Sequence, residues 1–104
     1  MQTHFSFQNV NEADKRRLEN YASEEKMKNF VRLLQPGDYD LADLDIVVEY
    51  RAHHNNFTIK MYFKIKKNVL VSEETSFTLT EAFDHALEKI VAQMRKLESK
   101  RHKK

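Results

Sequence analysis

Two stretches of strict alternation constrain this chain more than anything else in it. Leu44, Ile46, Val48 and Tyr50 alternate with Asp45, Val47, Glu49 and Arg51; Phe57, Ile59, Met61, Phe63 and Ile65 alternate with Thr58, Lys60, Tyr62, Lys64 and Lys66. A period of two sends each set to its own side of a strand, so both stretches are long strands with one apolar and one polar face. The polar residues between them, Ala52-His53-His54-Asn55-Asn56, are short enough for an antiparallel hairpin. Lys67-Asn68 is expected to turn the second strand into a third at about 69–75, and Phe5 and Phe7, alternating with Ser6 and Gln8, predict a further strand at about 2–9.

A sheet with one apolar face needs a cover, and the rest of the chain supplies it as helix. Asn11 followed by Glu12 and Asp14 is a helix start, with Leu18, Tyr21 and Ala22 on one face. A second apolar set, Met27, Phe30, Val31 and Leu34, points almost opposite to the first at 100° per residue. One straight helix cannot bury both, so a kink or break is expected near Ser23, with helix resuming to Leu34. Pro36-Gly37, the only proline and the only glycine, then ends it. Ala82, Phe83, Ala86, Leu87, Ile90, Met94 and Leu97 recur at helical spacing and predict a long helix from about Thr80 to Leu97 or beyond, capped by Thr78 or Thr80. The expected fold is therefore α+β, a two-layer sandwich in the order β-α-β-β-β-α, with a mainly antiparallel four-stranded sheet and two helices on one face. Residues 1–104 form one domain, of which 98–104 are a basic tail.

Charge is segregated along the chain. Six of the eighteen Lys and Arg residues lie in 95–104 beside one acid, Glu98, leaving +5 there and −3 on everything before it, although the net charge is only +2. A basic end suggests an anionic partner. On a wheel centred at Ile90, His85, Lys89, Lys96, Lys100 and Lys103 project roughly 80–140° to one side, and Asp84, Glu88 and Glu98 to the other. Lys89, Lys96 and Lys100 then span roughly 10–17 Å along the axis, a distance that crosses several backbone phosphates. Such a ridge is either a solvated helix face or a contact for RNA. Lys60, Lys64 and Lys66 flank Tyr62 on the polar sheet face, where they would pair across to Asp45 and Glu49 or form a second RNA surface. Lys15, Arg16 and Arg17 open the first helix, against the dipole preference for acids there.

Other chemistries find no pattern in the sequence. Without cysteine there is no disulfide or thiolate chemistry, and the five histidines lack metal-site spacing. Asp38, Asp40, Asp43 and Asp45 lack the glycine and terminal glutamate of a calcium loop, and Glu73-Glu74 would act as an acid pair only inside a cleft. There is no phosphate loop and no nucleophile motif, so the chain is read as no enzyme, with no cofactor, metal or small-molecule substrate. No apolar run reaches the roughly 18 residues of a membrane span, and Met1–Val10 lacks the order of a secretion signal, which points to the cytoplasm.

The stretch Glu81-Ala82-Phe83-Asp84-His85-Ala86-Leu87-Glu88-Lys89-Ile90-Val91-Ala92-Gln93-Met94-Arg95-Lys96 resembles the final helix of the ribosome hibernation promoting factors, also called ribosome-associated inhibitors or sigma-54 modulation proteins. The element order, the Met-Gln start and the length match as well, so the resemblance covers essentially the whole chain. It implies a fold similar to a double-stranded-RNA-binding domain, and binding to the small ribosomal subunit and its RNA near the decoding centre when growth slows, where messenger and transfer RNA sites are blocked. Carried over by position, phosphate contacts fall to Lys89, Lys96 and Lys100 on the last helix and Lys26 on the first. Arg95 joins them, and Arg101 and Lys103 complete the basic set. Ala92 stands where members often have arginine and Thr80 where tyrosine is common, so those contacts are lost or moved. The length matches the short class, which lacks the C-terminal domain that pairs ribosomes in longer relatives; a monomer is expected off the ribosome. The alternative is an interaction module whose basic helix meets an acidic protein.

Overall fold

The computed structural model describes residues 1–22, 25–34, 37 and 41–102, with the side chains of residues 25, 29 and 98–102 excepted. The elements are β1 (Gln2–Gln8), α1 (Glu12–Ala22), α2 (Glu25–Val31), β2 (Asp43–Arg51), β3 (Asn56–Ile65), β4 (Asn68–Ser76) and α3 (Leu79–His102). The strands lie in the order β1-β2-β3-β4. β1 runs parallel to β2, while β2-β3 and β3-β4 are antiparallel, so the sheet is mixed. The parallel pair follows from the helical crossover between β1 and β2, since a tight hairpin joins only antiparallel strands.

The alternation places the core as expected. Leu44, Ile46, Val48, Ile59, Met61 and Phe63 are fully buried, facing Ala82, Phe83, Ala86 and Ile90 of α3. Phe57 and Tyr50, opposite one another across β2 and β3, pack as tilted rings with centres 5.1 Å apart.

α1 is described to Ala22 and α2 from Glu25; the kink or break expected near Ser23 lies outside the described residues. Both apolar sets contribute to the core, Leu18 and Ala22 from α1 and Phe30 from α2, whose ring meets Phe63 edge-on at 4.9 Å. α2 stops short of Leu34. Past Val31 the chain tightens into three-residue turns, Leu33 N donating to Phe30 O and Leu34 N to Val31 O, at 3.1 and 3.0 Å.

Caps behave as their residues dictate. The Asp14 amide donates to Asn11 Oδ1 at 2.7 Å, and the Ala82 amide to Thr78 O at 3.1 Å, making Asn11 and Thr78 the two N-caps. The Thr78 hydroxyl also reaches Glu81 Oε2 at 3.3 Å. One turn is displaced from expectation: Ile65 pairs with Asn68, so the β3-β4 turn is Lys66-Lys67, with Lys66 at φ 54°. Pro36 and the loop acids Asp38 and Asp40 lie outside the described residues.

Candidate nucleic-acid interface

α3 crosses the sheet so that its two flanks meet different neighbours. One flank overhangs the free edge of β4. There the Gln93 amide donates to Val71 O at 2.8 Å and the Lys89 ammonium to Glu73 O at 3.3 Å, two edge carbonyls that would otherwise be open to another strand. Lys89 Nζ also lies 2.8 Å from Glu74 Oε1. Lys89 and Gln93 lie one helical turn apart on α3, and both reach this edge. That role was not read from the sequence, although the wheel puts the two on one flank.

The other flank of α3 faces α2 across a groove of about 450 Å³. Phe30, Leu87 and Val91 supply its apolar lining, with Lys26 on the α2 wall and Arg95 on the α3 wall. Lys26 is held in place. Its ammonium is 3.4 Å from Asp84 Oδ1 and 5.2 Å from the centre of the Tyr21 ring, and the Tyr21 hydroxyl donates to Asp84 Oδ2 at 2.6 Å. The Tyr21 phenol is pushed above its ordinary value first by this hydrogen bond and then by burial. Lys26 is raised as well, first by its contact with the Tyr21 hydroxyl and then by the Asp84 charge. The ammonium therefore stays charged throughout the neutral range, and Asp84 ties α1, α2 and α3 together.

The residues expected to contact RNA thus divide. Lys26 and Lys89 are about half exposed but already ion-paired. Arg95 and Lys96 are exposed and carry no ion pair among the described residues. Lys100 and Arg101 continue α3, their side chains lying outside the described set, and Lys103 lies outside the described residues. Two further cations escaped the sequence argument. Lys28 and Arg32 are exposed, also without an ion pair among the described residues, and at four-residue spacing both point away from the buried Phe30. That i,i+4 spacing was the available signal. On α1, Lys15 and Arg17 pair with Glu12 and Asp14, while Arg16 is exposed.

The polar sheet face differs from what its lysines suggest. Lys60 pairs at 3.4 Å with Glu73 on β4, and neither Asp45 nor Glu49 is its partner. Glu73 and Glu74 point to opposite faces, toward Lys60 and Lys89 respectively, and form no acid pair. Among the described residues no group of His, Cys, Asp and Glu is arranged to hold a metal, and no helix is long and apolar enough to cross a membrane.

An α+β domain with exposed cations on its helical layer presents a surface that a polyanion can meet, and comparison with known proteins gives its family. Residues 4–102 match the family described as sigma 54 modulation protein / S30EA ribosomal protein, and the chain belongs to that family. Its fold is shared with a ribosomal subunit interface protein from Coxiella burnetii, at TM-score 0.67 and 15% identity, covering 95% of this chain and 99% of that one. It is shared equally with the N-terminal domain of Thermus thermophilus Protein Y, at TM-score 0.67 and 17% identity, covering 93% and 99%. No curated protein matches the chain by sequence.

Proposed function

We propose that this protein is a cytoplasmic, non-enzymatic hibernation factor that binds the RNA of the small ribosomal subunit near the decoding centre and keeps messenger and transfer RNA out. Family membership across nearly the whole chain is the observation that carries this reading. The distribution of charge supports it, because Arg95, Lys96, Lys28 and Arg32 stand exposed on the helical layer, where an RNA backbone can reach them without breaking an existing pair. Lys26 and Lys89 contribute in a different way: each holds part of the cationic layer in place while keeping roughly half its side chain in solvent. The protein acts as a monomer by occupancy and catalyses nothing, and its demand is greatest when growth slows.

The test is chemical footprinting of purified small subunits with and without the protein. Protection of decoding-site nucleotides, lost together with co-sedimentation in an Arg95→Glu/Lys96→Glu variant, is the expected result. Protection elsewhere on the subunit, or none at low salt, overturns the proposal.

A further inference from the structure

The helices cover one face of the sheet, and the opposite face has its own chemistry. Across it run acids on β2 (Asp43, Asp45 and Glu49) and Glu73 on β4, with Lys60 and Lys64 on β3, Lys66 in the turn that follows it and Arg51 at the end of β2. Glu73 and Lys60 neutralise each other, while Asp45 and Glu49 have no ion-pair partner among the described residues. Around Asp45 and Glu49 a phosphate backbone would meet unpaired carboxylates. An apolar strip crosses the same face: Tyr62 lies directly opposite Val71, and Val71 and Val69 are 49% and 55% exposed on the outer strand. Apolar surface grouped in this way on a polar face marks a contact for another molecule.

Beside Tyr62 the face dips. Gln8, Glu49, Lys60 and Tyr62 surround a depression of about 180 Å³ where the side chains of Val47 and Thr58 are short. Thr58 is drawn toward β4 by its hydroxyl contact with Thr75 at 2.9 Å, and Lys60 is drawn the same way by Glu73. What remains at the rim is the unpaired Glu49 carboxylate, the Gln8 amide and Tyr62, beside a Lys60 ammonium already paired with Glu73. The volume is below the roughly 300 Å³ at which small-molecule sites begin, and suits a single side chain. A guanidinium matches all three groups, stacking on the ring and donating to the carboxylate and the amide oxygen.

We propose that this depression receives an arginine from a basic protein partner, with an apolar residue of the same segment resting on Val69 and Val71. Val47 lies two strand spacings from Glu73, with Val71 two residues along β4 from it, so Val47 and Val71 are roughly 12 Å apart and the arginine and its apolar companion lie about three to four residues apart in an extended chain. The sheet face thus takes a protein while the helical layer stays free for RNA, and the inference stands independently of the ribosome proposal.

Amide resonances of the full chain report the site. The probes are a short glycine-serine peptide carrying an arginine three positions before a leucine, the same peptide with lysine for arginine, and oligouridylate. Binding of the arginine peptide should shift Gln8, Val47, Glu49 and Tyr62, with the lysine peptide weaker. Glu49→Gln and Tyr62→Ala should each weaken it about threefold, and Tyr62→Phe should leave it unchanged. Both positions face solvent, and circular dichroism checks that the variants fold. Equal affinity for the two peptides, shifts confined to other faces, or oligouridylate shifting these residues instead would overturn the proposal. So would concentration-dependent self-association that Glu49→Lys abolishes, which would assign the surface to a second copy.

Discussion

If the exposed cations of the helical layer contact phosphates, each should have a measurable share in salt dependence, and the structure ranks them. Removing one phosphate contact lowers the slope of log affinity against log salt by roughly 0.7–0.9. Between about 50 and 200 mM salt, a fourfold range, one contact accounts for about a threefold change in affinity. Lys96→Gln should therefore shrink the wild-type spread about threefold, and Arg95→Gln/Lys96→Gln about tenfold. Lys89 should behave otherwise, because its ammonium is 2.8 Å from Glu74 Oε1 and half committed to the β4 edge. A cation already neutralised releases less counterion, so Lys89→Gln should change the slope by well under one contact. Glu74→Gln, which frees Lys89, should raise the slope toward a full one. Co-sedimentation with small subunits across the salt series measures all of this. A slope that ignores Arg95 and Lys96 while falling by a whole contact in Lys89→Gln would refute the ranking and centre the interface on Lys89 at the β4 edge.

Three further outcomes are expected. Phe30→Ala removes a ring that is 1% exposed and packed against Phe63; urea unfolding should show a loss of about 3–5 kcal/mol, a large part of the stability of any domain this size. Gln93→Leu uncovers Val71 O at the sheet edge, so stability should fall by about 0.5–1 kcal/mol while light scattering reports new self-association. The Tyr21-Asp84-Lys26 cluster raises the pKa of both Tyr21 and Lys26 above their ordinary 10.0 and 10.5. A raised pKa means that the stabilisation is fully present below the ordinary values and is lost as the pH climbs through the folded ones. Urea midpoints should hold to about pH 10 and then drop, and the drop should shrink in Tyr21→Phe.

Much of this architecture was legible because it is written in local periodicity. The strands and the helix caps at Asn11 and Thr78 each follow from residues close together in the chain. What was not legible depends on how elements meet. Lys60 chooses Glu73 over Asp45 and Glu49 because the β3-β4 register sets Lys60 directly opposite Glu73, whereas on the β2 side it faces Val47. Lys89 looked like a free member of a ridge because a helical wheel shows the flank on which a residue lies and nothing of the strand beneath it. The Lys66-Lys67 turn was missed by one residue because neither position carries the glycine or asparagine that usually announces a positive φ.

The helical layer does more than bury two apolar sets. α1 turns Leu18 and Ala22 into the core and α2 turns Phe30 onto Phe63, and Lys28 and Arg32, on the side of α2 away from Phe30, are thereby left on the outer surface. Lys26, in the first turn of α2, is held by Asp84 of α3 and Tyr21 of α1. The packing that satisfies the core therefore gathers positive charge on the helical layer, while on the far face of the sheet Asp45 and Glu49 have no ion-pair partner among the described residues. Burial and electrostatic polarity are coupled through the orientation of α2, and a substitution that let α2 rotate about its axis would be expected to weaken both together.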